Sequence, residues 1–222
     1  MKGATAEHDL RTSPMSGSFP IVYVVDDDVS VRESLELLIR TAGWQPELFA
    51  SAQEFLSCSK NTVPSCLILD VNLPDLNGLD LQERVATDRI DMPIIFITGY
   101  GDVPTTVRAM KAGAVEFLTK PFSDDVLLSA IQHALEHSRT VLSQEEELQG
   151  LRNRYALLSR REREVMALVV RGLLNKQVGF NLGISEITVK AHRGRVMEKM
   201  DARSLADLVT MAARLRVEPS KD

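Results

Sequence analysis

A chain of 222 residues, 44% of them hydrophobic, is long enough for one or two packed domains. Its two cysteines, Cys58 and Cys66, exclude a disulfide framework and a zinc site built on cysteines, and read as small buried thiols in a reducing compartment. The net charge of −5 conceals a division: residues 1–149 carry 11 Lys and Arg against 23 Asp and Glu, a net −12, whereas residues 150–222 carry 15 against 8, a net +7. An acidic half joined to a basic half implies two domains with different partners, the basic one suited to nucleic acid. No apolar run reaches the length of a membrane span, and residues 1–19 lack the apolar core of a secretion signal. The expected protein is soluble and cytoplasmic, with no membrane partner.

Residues 1–19, rich in Ser, Thr and Gly, read as a disordered tail, with Met15 as an alternative start. The run Ile21–Val25 then reads as a buried strand ending in Asp26-Asp27-Asp28. Val31, Leu35, Leu38 and Ile39 carry helical spacing over 29–39, with Asp28 as a solvated helix-start residue and Gly43 past the end. A short strand near 47–49 and a helix over 51–57 follow. The apolar run Cys66–Leu69 ends in Asp70, two residues before Asn72, and a Leu-Pro-Asp-Leu-Asn-Gly turn leads to Gly78. A helix over 79–87, a strand over 93–97 ending in Thr98, and a helix over 104–112 come next. The strand 115–119 ends in Lys120, and Ser123 caps a helix to His137 with Asp124 and Asp125 in its first turn.

Five βα units make a doubly wound, five-stranded parallel sheet of flavodoxin-like order. Ligands of such sheets bind at the carboxyl ends of the strands. Asp26, Asp27, Asp70, Thr98 and Lys120 would therefore meet on one rim. The three carboxylates there repel one another, and a hard divalent cation such as Mg2+ relieves the strain.

In this order, VVDDD, LILDVNLPDLNG, FITGYGD and EFLTKPF resemble the CheY-like receiver domain of bacterial two-component response regulators, over roughly residues 20–138. The run GYGDVPTTVRAMKAGAVEFLTKPF is similar to the FixJ-like branch. The resemblance implies that Asp70 accepts a phosphoryl group from a sensor histidine kinase. It also implies that Asp27, Asp70 and the backbone carbonyl of Asn72 ligate Mg2+, with Asp26 acting through water and Lys120 offsetting charge on the transferring group. Thr98 and Phe117 would convert phosphorylation into a change of packing; Phe117 stands where the family often has Tyr, and lacks its hydroxyl. The face formed by the 104–112 helix, the Phe117 strand and the 123–137 helix is where such receivers commonly pair, so a homodimer is expected on phosphorylation. An enzyme-class rival, a phosphatase with an aspartyl-phosphate intermediate, needs a proton-transferring Asp two residues after the nucleophile; Asn72 occupies that position and transfers no proton. The protein is therefore expected not to be an enzyme.

Residues 139–156 read as a helical linker, with Gly150 as the point where it could break. Beyond it, Ser159 and Glu162 form a capping box at the start of a helix ending at Gly172. Asn175 would cap a helix to Leu182, Gly183-Ile184 makes a turn, and Ser185 caps a third helix to about Met200. Helix, tight glycine turn and helix make a helix-turn-helix. LSRREREVMALVVRGLLNKQVGFNLGISEITVKAHRGRVMEKM resembles the LuxR/NarL-type DNA-binding domain, placed over 157–222. On the third helix Val189, His192, Val196 and Met200 form a core stripe, His192 as a packing residue. Ile187, Lys190, Ala191 and Gly194 face the major groove, where Lys190 suits guanine acceptors and Ile187 or Ala191 a thymine methyl, and Thr188 is a further expected DNA-binding residue. Lys176, Arg193 and Arg195 suit phosphates. Gly194 and Gly179-Phe180 depart from what relatives often carry. The resemblance implies that a final helix over 204–215 pairs two such domains on double-stranded promoter DNA, with RNA polymerase as a partner. The alternative is a regulator whose DNA binding is independent of phosphorylation and whose receiver is vestigial.

Overall fold

A computed structural model describes residues 19–59, 62–88, 92–99 and 101–217, so the tail expected over 1–19 lies almost wholly outside the described residues. The chain forms two compact units, residues 1–140 and 141–222.

In the first unit β1 (Ile21–Val25), β2 (Gln45–Phe49), β3 (Ser65–Asp70), β4 (Ile94–Thr98) and β5 (Glu116–Thr119) pair in parallel, in the order β2-β1-β3-β4-β5. This is the doubly wound sheet expected from the sequence. Such a sheet is covered on both faces, so its central strands must be apolar on both. Period-two alternation divides them: Tyr23, Leu67, Leu69 and Phe96 enter one core, and Val22, Val24, Ile68 and Ile95 the other. The helices α1 (Val29–Thr41), α2 (Ala52–Leu56), α3 (Gly78–Asp88), α4 (Val103–Lys111) and α5 (Asp124–Ala156) supply the covering residues. Phe55, Leu81, Val85 and Ala109 from α2, α3 and α4 close the first core; Leu35, Ile39, Leu127 and Ile131 from α1 and α5 close the second.

Register sets the rim. Val25 pairs with Leu69, Asp70 with Ile97, and Thr98 with Thr119. The residues that end β1, β3, β4 and β5 are therefore level with one another. β2 starts at Gln45, earlier than the sequence implies, and includes Pro46; it is an edge strand, where a missing N–H is tolerated.

α5 runs unbroken through Gly150, so the glycine does not interrupt the helix. In the second unit α6 (Arg160–Val169), α7 (Asn175–Leu182), α8 (Glu186–Met200) and α9 (Leu205–Arg214) enclose a core of Val165, Met166, Val178, Val189, Val196 and Leu208. The capping box is complete: Ser159 Oγ accepts from Glu162 N at 3.3 Å, and Glu162 Oε2 accepts from Ser159 N at 2.8 Å. Asn175 is not the N-cap of α7. Leu174 holds that position, and because it has no polar side chain, Gln177 Oε1 accepts its N–H at 2.8 Å. Asn175 instead accepts from Arg193 of α8 at 3.3 Å. Gly183 ends α7 at φ 64°, a left-handed conformation that favours glycine. A Cβ at Gly179 would lie 2.7 Å from the Ile184 carbonyl oxygen, so this turn closes directly against α7. Among the described residues no helix is long and apolar enough to cross a membrane.

Candidate functional site

The carboxyl ends of β1, β3 and β5 bring together the charges that the sequence placed on one rim. Lys120 Nζ donates to Asp26 Oδ2 at 2.7 Å and to Asp70 Oδ2 at 2.8 Å. Asp26, Asp27 and Asp70 each offer a carboxylate oxygen, and these atoms lie within 4.8 Å of one another. Asp26 and Asp70 are buried, whereas Asp27 is exposed. Burial pushes the Asp26 carboxyl above its usual range, against the pull of Lys120 and of the Asp28 N–H. Burial also disfavours the Lys120 ammonium, but its hydrogen bonds to Asp26 and Asp70 outweigh that and raise its pKa.

The two buried carboxylates are oriented locally. Asp28 N donates to Asp26 Oδ1 at 2.9 Å, and Asn72 N donates to Asp70 Oδ1 at 2.9 Å. Asp28 also caps α1, its side chain accepting from Ser30 N at 2.8 Å, so its side chain serves the helix while its N–H serves the pocket. Gly78, at the start of α3, backs onto the site: a Cβ there would lie 2.5 Å from the Asp70 carbonyl oxygen. An all-oxygen donor set with one exposed and two buried carboxylates fits a hard divalent cation and offers nothing to a soft one.

Thr98 is buried at the end of β4, and its carbonyl accepts from Lys120 N at 2.8 Å. Phe117 is half-buried on β5, with its ring centroid 6.0 Å from that of Phe96. A Cβ at Gly101 would lie 3.4 Å from Phe117 Cε1 and 2.5 Å from Thr119 Cγ2, so the β4–α4 loop rests on the β5 side chains.

The second unit presents a different surface. On α8 Val189, Val196 and Met200 are buried and His192 is half-buried, which is the expected core stripe. Ile187, Thr188, Lys190, Ala191, Gly194 and Arg195 are exposed, as is Lys176 on α7. Lys190 pairs with Glu186 at 3.1 Å, and the Thr188 hydroxyl shares a 2.8 Å hydrogen bond with Ser185 at the N-cap. Arg193 is half-buried against Asn175, less open than its expected phosphate role implies.

Known proteins carry the same two parts. The family described as "Response regulator receiver domain" matches residues 22–132, and that described as "Bacterial regulatory proteins, luxR family" matches residues 156–212. The chain belongs to the response regulators. It is 52% identical over 197 residues to Nodulation protein W of Bradyrhizobium diazoefficiens, covering 89% of this chain and 87% of that protein. It is 42% identical over 191 residues to the transcriptional regulatory protein FixJ of Rhizobium meliloti, covering 86% and 94% respectively. The solved structure of the response regulator StyR superposes with a TM-score of 0.80 at 45% identity, over 89% of this chain and all of that one. This response regulator thus joins a receiver to a LuxR-type DNA-binding domain and is a transcription regulator, not an enzyme.

Sequence reasoning misses two contributors to the response regulator's acidic pocket. Arg32, three residues into α1, donates Nη1 to the backbone oxygen of Asp26. Gly78 reads in the sequence only as the end of a turn, although its missing side chain is what lets α3 start against Asp70. A glycine directly before an amphipathic helix is the available signal for the second; nothing in the sequence marks the first.

Proposed function

We propose that this protein takes a phosphoryl group on Asp70 from a sensor histidine kinase and thereby changes its hold on promoter DNA. The observation that carries this reading is the meeting of Asp26, Asp27 and Asp70 within 4.8 Å, with Lys120 Nζ 2.8 Å from Asp70. A carboxylate held by one backbone N–H and one ammonium is fixed in direction, which favours in-line attack on phosphorus. Asp27, Asp70 and the Asn72 backbone carbonyl would hold Mg2+, with Asp26 behind them; when bound, the ion neutralises charge on the transferring group. Lys120 remains beside Asp70 to pair with a phosphoryl oxygen. Asn72, two residues beyond, offers no acid or base for hydrolysis, so the phosphorylated state persists as a signal.

The added negative charge biases the packing of Thr98 and Phe117, and through them α4, β5 and α5. Val103, Val107 and Met110 recur at helical spacing on α4 and are exposed, an apolar stripe suited to pairing two phosphorylated receivers. Leu205 and Val209 are likewise exposed on α9, where two DNA-binding domains would pair over inverted half-sites. Ile187, Thr188, Lys190, Ala191 and Gly194 of α8 would then read bases, with Lys176, Arg193 and Arg195 on phosphates and RNA polymerase as the downstream partner. The similarity to the transcriptional regulatory protein FixJ supports this assignment. A cytoplasmic location follows from a kinase partner and a DNA target.

The test treats wild type and Asp70→Asn with a small acyl-phosphate donor and Mg2+, and reads intact mass, dimerisation and gel shift on promoter DNA. Wild type is expected to gain one phosphoryl group, to dimerise and to bind DNA more tightly; Asp70→Asn does none of these. Phosphorylation that leaves dimerisation and DNA affinity unchanged would leave the vestigial-receiver reading in its place.

A further inference from the structure

We infer that Arg32 is a positioning residue for the cation site, acting through the peptide that joins Asp26 to Asp27. Arg32 Nη1 donates to the Asp26 backbone oxygen, from a side chain half-buried at the start of α1. The other polar groups of Asp26 are also engaged: its N–H donates to Phe49 O at 3.3 Å, Oδ1 accepts from Asp28 N at 2.9 Å, and Oδ2 accepts from Lys120 at 2.7 Å. Asp27, by contrast, is exposed, and its direction depends on the backbone that carries it.

A peptide unit is planar, so holding its oxygen restrains the plane in which the Asp26 carbonyl and the Asp27 N–H lie. The Arg32 bond therefore sets the plane from which the Asp27 side chain departs, and with it the approach of that carboxylate to Asp70. The guanidinium also brings positive charge to a rim of three carboxylates. That charge alone would repel a divalent cation, so the two effects of Arg32 oppose each other and are separable by experiment. On this inference positioning is the larger effect: its loss weakens Mg2+ binding, whereas loss of the charge alone would strengthen it.

This inference rests on the receiver reading above. Its test is Mg2+ titration of the full chain by calorimetry, without any phosphodonor, for wild type, Arg32→Gln and Arg32→Lys. Arg32→Gln is expected to bind Mg2+ about tenfold or more weakly, the scale on which outer partners of metal ligands act. Arg32→Lys, which keeps the charge and one donor, recovers part of the loss. At saturating Mg2+ the rate of Asp70 labelling by an acyl phosphate should return close to that of wild type, since the loss lies in assembling the site. Binding by Arg32→Gln as tight as or tighter than wild type overturns the inference and leaves the receiver reading standing. Wild type that takes up no Mg2+ removes both. Should Arg32→Gln fail to fold, Arg32→Lys decides alone: weaker binding supports the role, and unchanged binding overturns it.

Discussion

The Lys199 ammonium lies 2.7 Å from the Glu162 carboxylate and ties the last turn of α8 to the first turn of α6. Glu162 is buried, and its Oε2 also closes the capping box on Ser159 N. Lys199 and the Ser159 N–H together hold the Glu162 carboxyl down, from the usual 4.5 to about 2. A depressed folded-state pKa stabilises the fold fully above the unfolded value and loses that stabilisation as pH falls through the folded one. The window is therefore pH 4.5 to about 2. The full contribution is at most about 3 kcal/mol, and solvent around the half-exposed Lys199 reduces it. More than half of it is gone by pH 3. Amide protection factors in α6 and α8, corrected for the intrinsic pH dependence of exchange, should fall as pH is lowered across this range in wild type and fall less in Glu162→Gln; parallel profiles for the two proteins would refute the assignment.

Gly78→Ala should damage the acidic pocket without touching a charge. The new Cβ would meet the Asp70 carbonyl oxygen at 2.5 Å and Val71 Cα at 3.0 Å, both backbone atoms that cannot rotate away. Overpacking of this kind costs about 1–3 kcal/mol. The receiver is expected to melt earlier, and Asp70 to be labelled more slowly by an acyl phosphate. Normal labelling with a normal melting temperature would mean that α3 shifts freely.

Strand ends announce themselves in a sequence because an apolar run stops at a polar residue, which is why the order of residues alone puts Asp26, Asp70, Thr98 and Lys120 on one rim. The capping box at Ser159 is legible for a similar reason, since both partners lie within one turn. Contacts made at a distance leave no such trace. Arg32 looks like any helix-surface arginine until its reach to Asp26 O is seen. The cap of α7 falls one residue from where the sequence suggests, because Asn175 is the better capping residue by type, whereas Gln177 serves Leu174 from within the helix. Gly150 has the means to end α5; Leu151 beside it is buried, and tertiary packing outweighs the roughly 1 kcal/mol that a helical glycine costs.

Lys120→Met removes the cation shared by Asp26 and Asp70 and leaves two buried carboxylates facing each other. Mg2+ would still bind, since the lost group is itself positive and repels the ion. Transfer to Asp70 should slow by about a hundredfold, the scale on which losing one charge-stabilising donor acts in enzyme active sites. Mg2+ calorimetry beside phosphodonor kinetics separates the two effects. Loss of Mg2+ binding together with transfer would assign Lys120 to building the pocket instead of to the reaction.

Gly194 lies on the exposed face of α8, where a Cβ would meet no atom within 4 Å. Alanine therefore fits the free protein without adjustment and should stabilise α8 by about 0.8–1 kcal/mol through helix propensity alone. On DNA the balance reverses if the Ile187–Lys190–Gly194 face enters the major groove, because the glycine is then the point of closest approach to the base edges. Gly194→Ala is thus expected to raise the melting temperature of the DNA-binding unit while weakening its hold on promoter DNA. Since the helix itself becomes firmer, any loss of affinity must come from the added methyl group and not from a damaged fold. A variant that is more stable and binds equally well would take Gly194 off the interface and shift the groove-facing stripe toward Ile187 and Ala191.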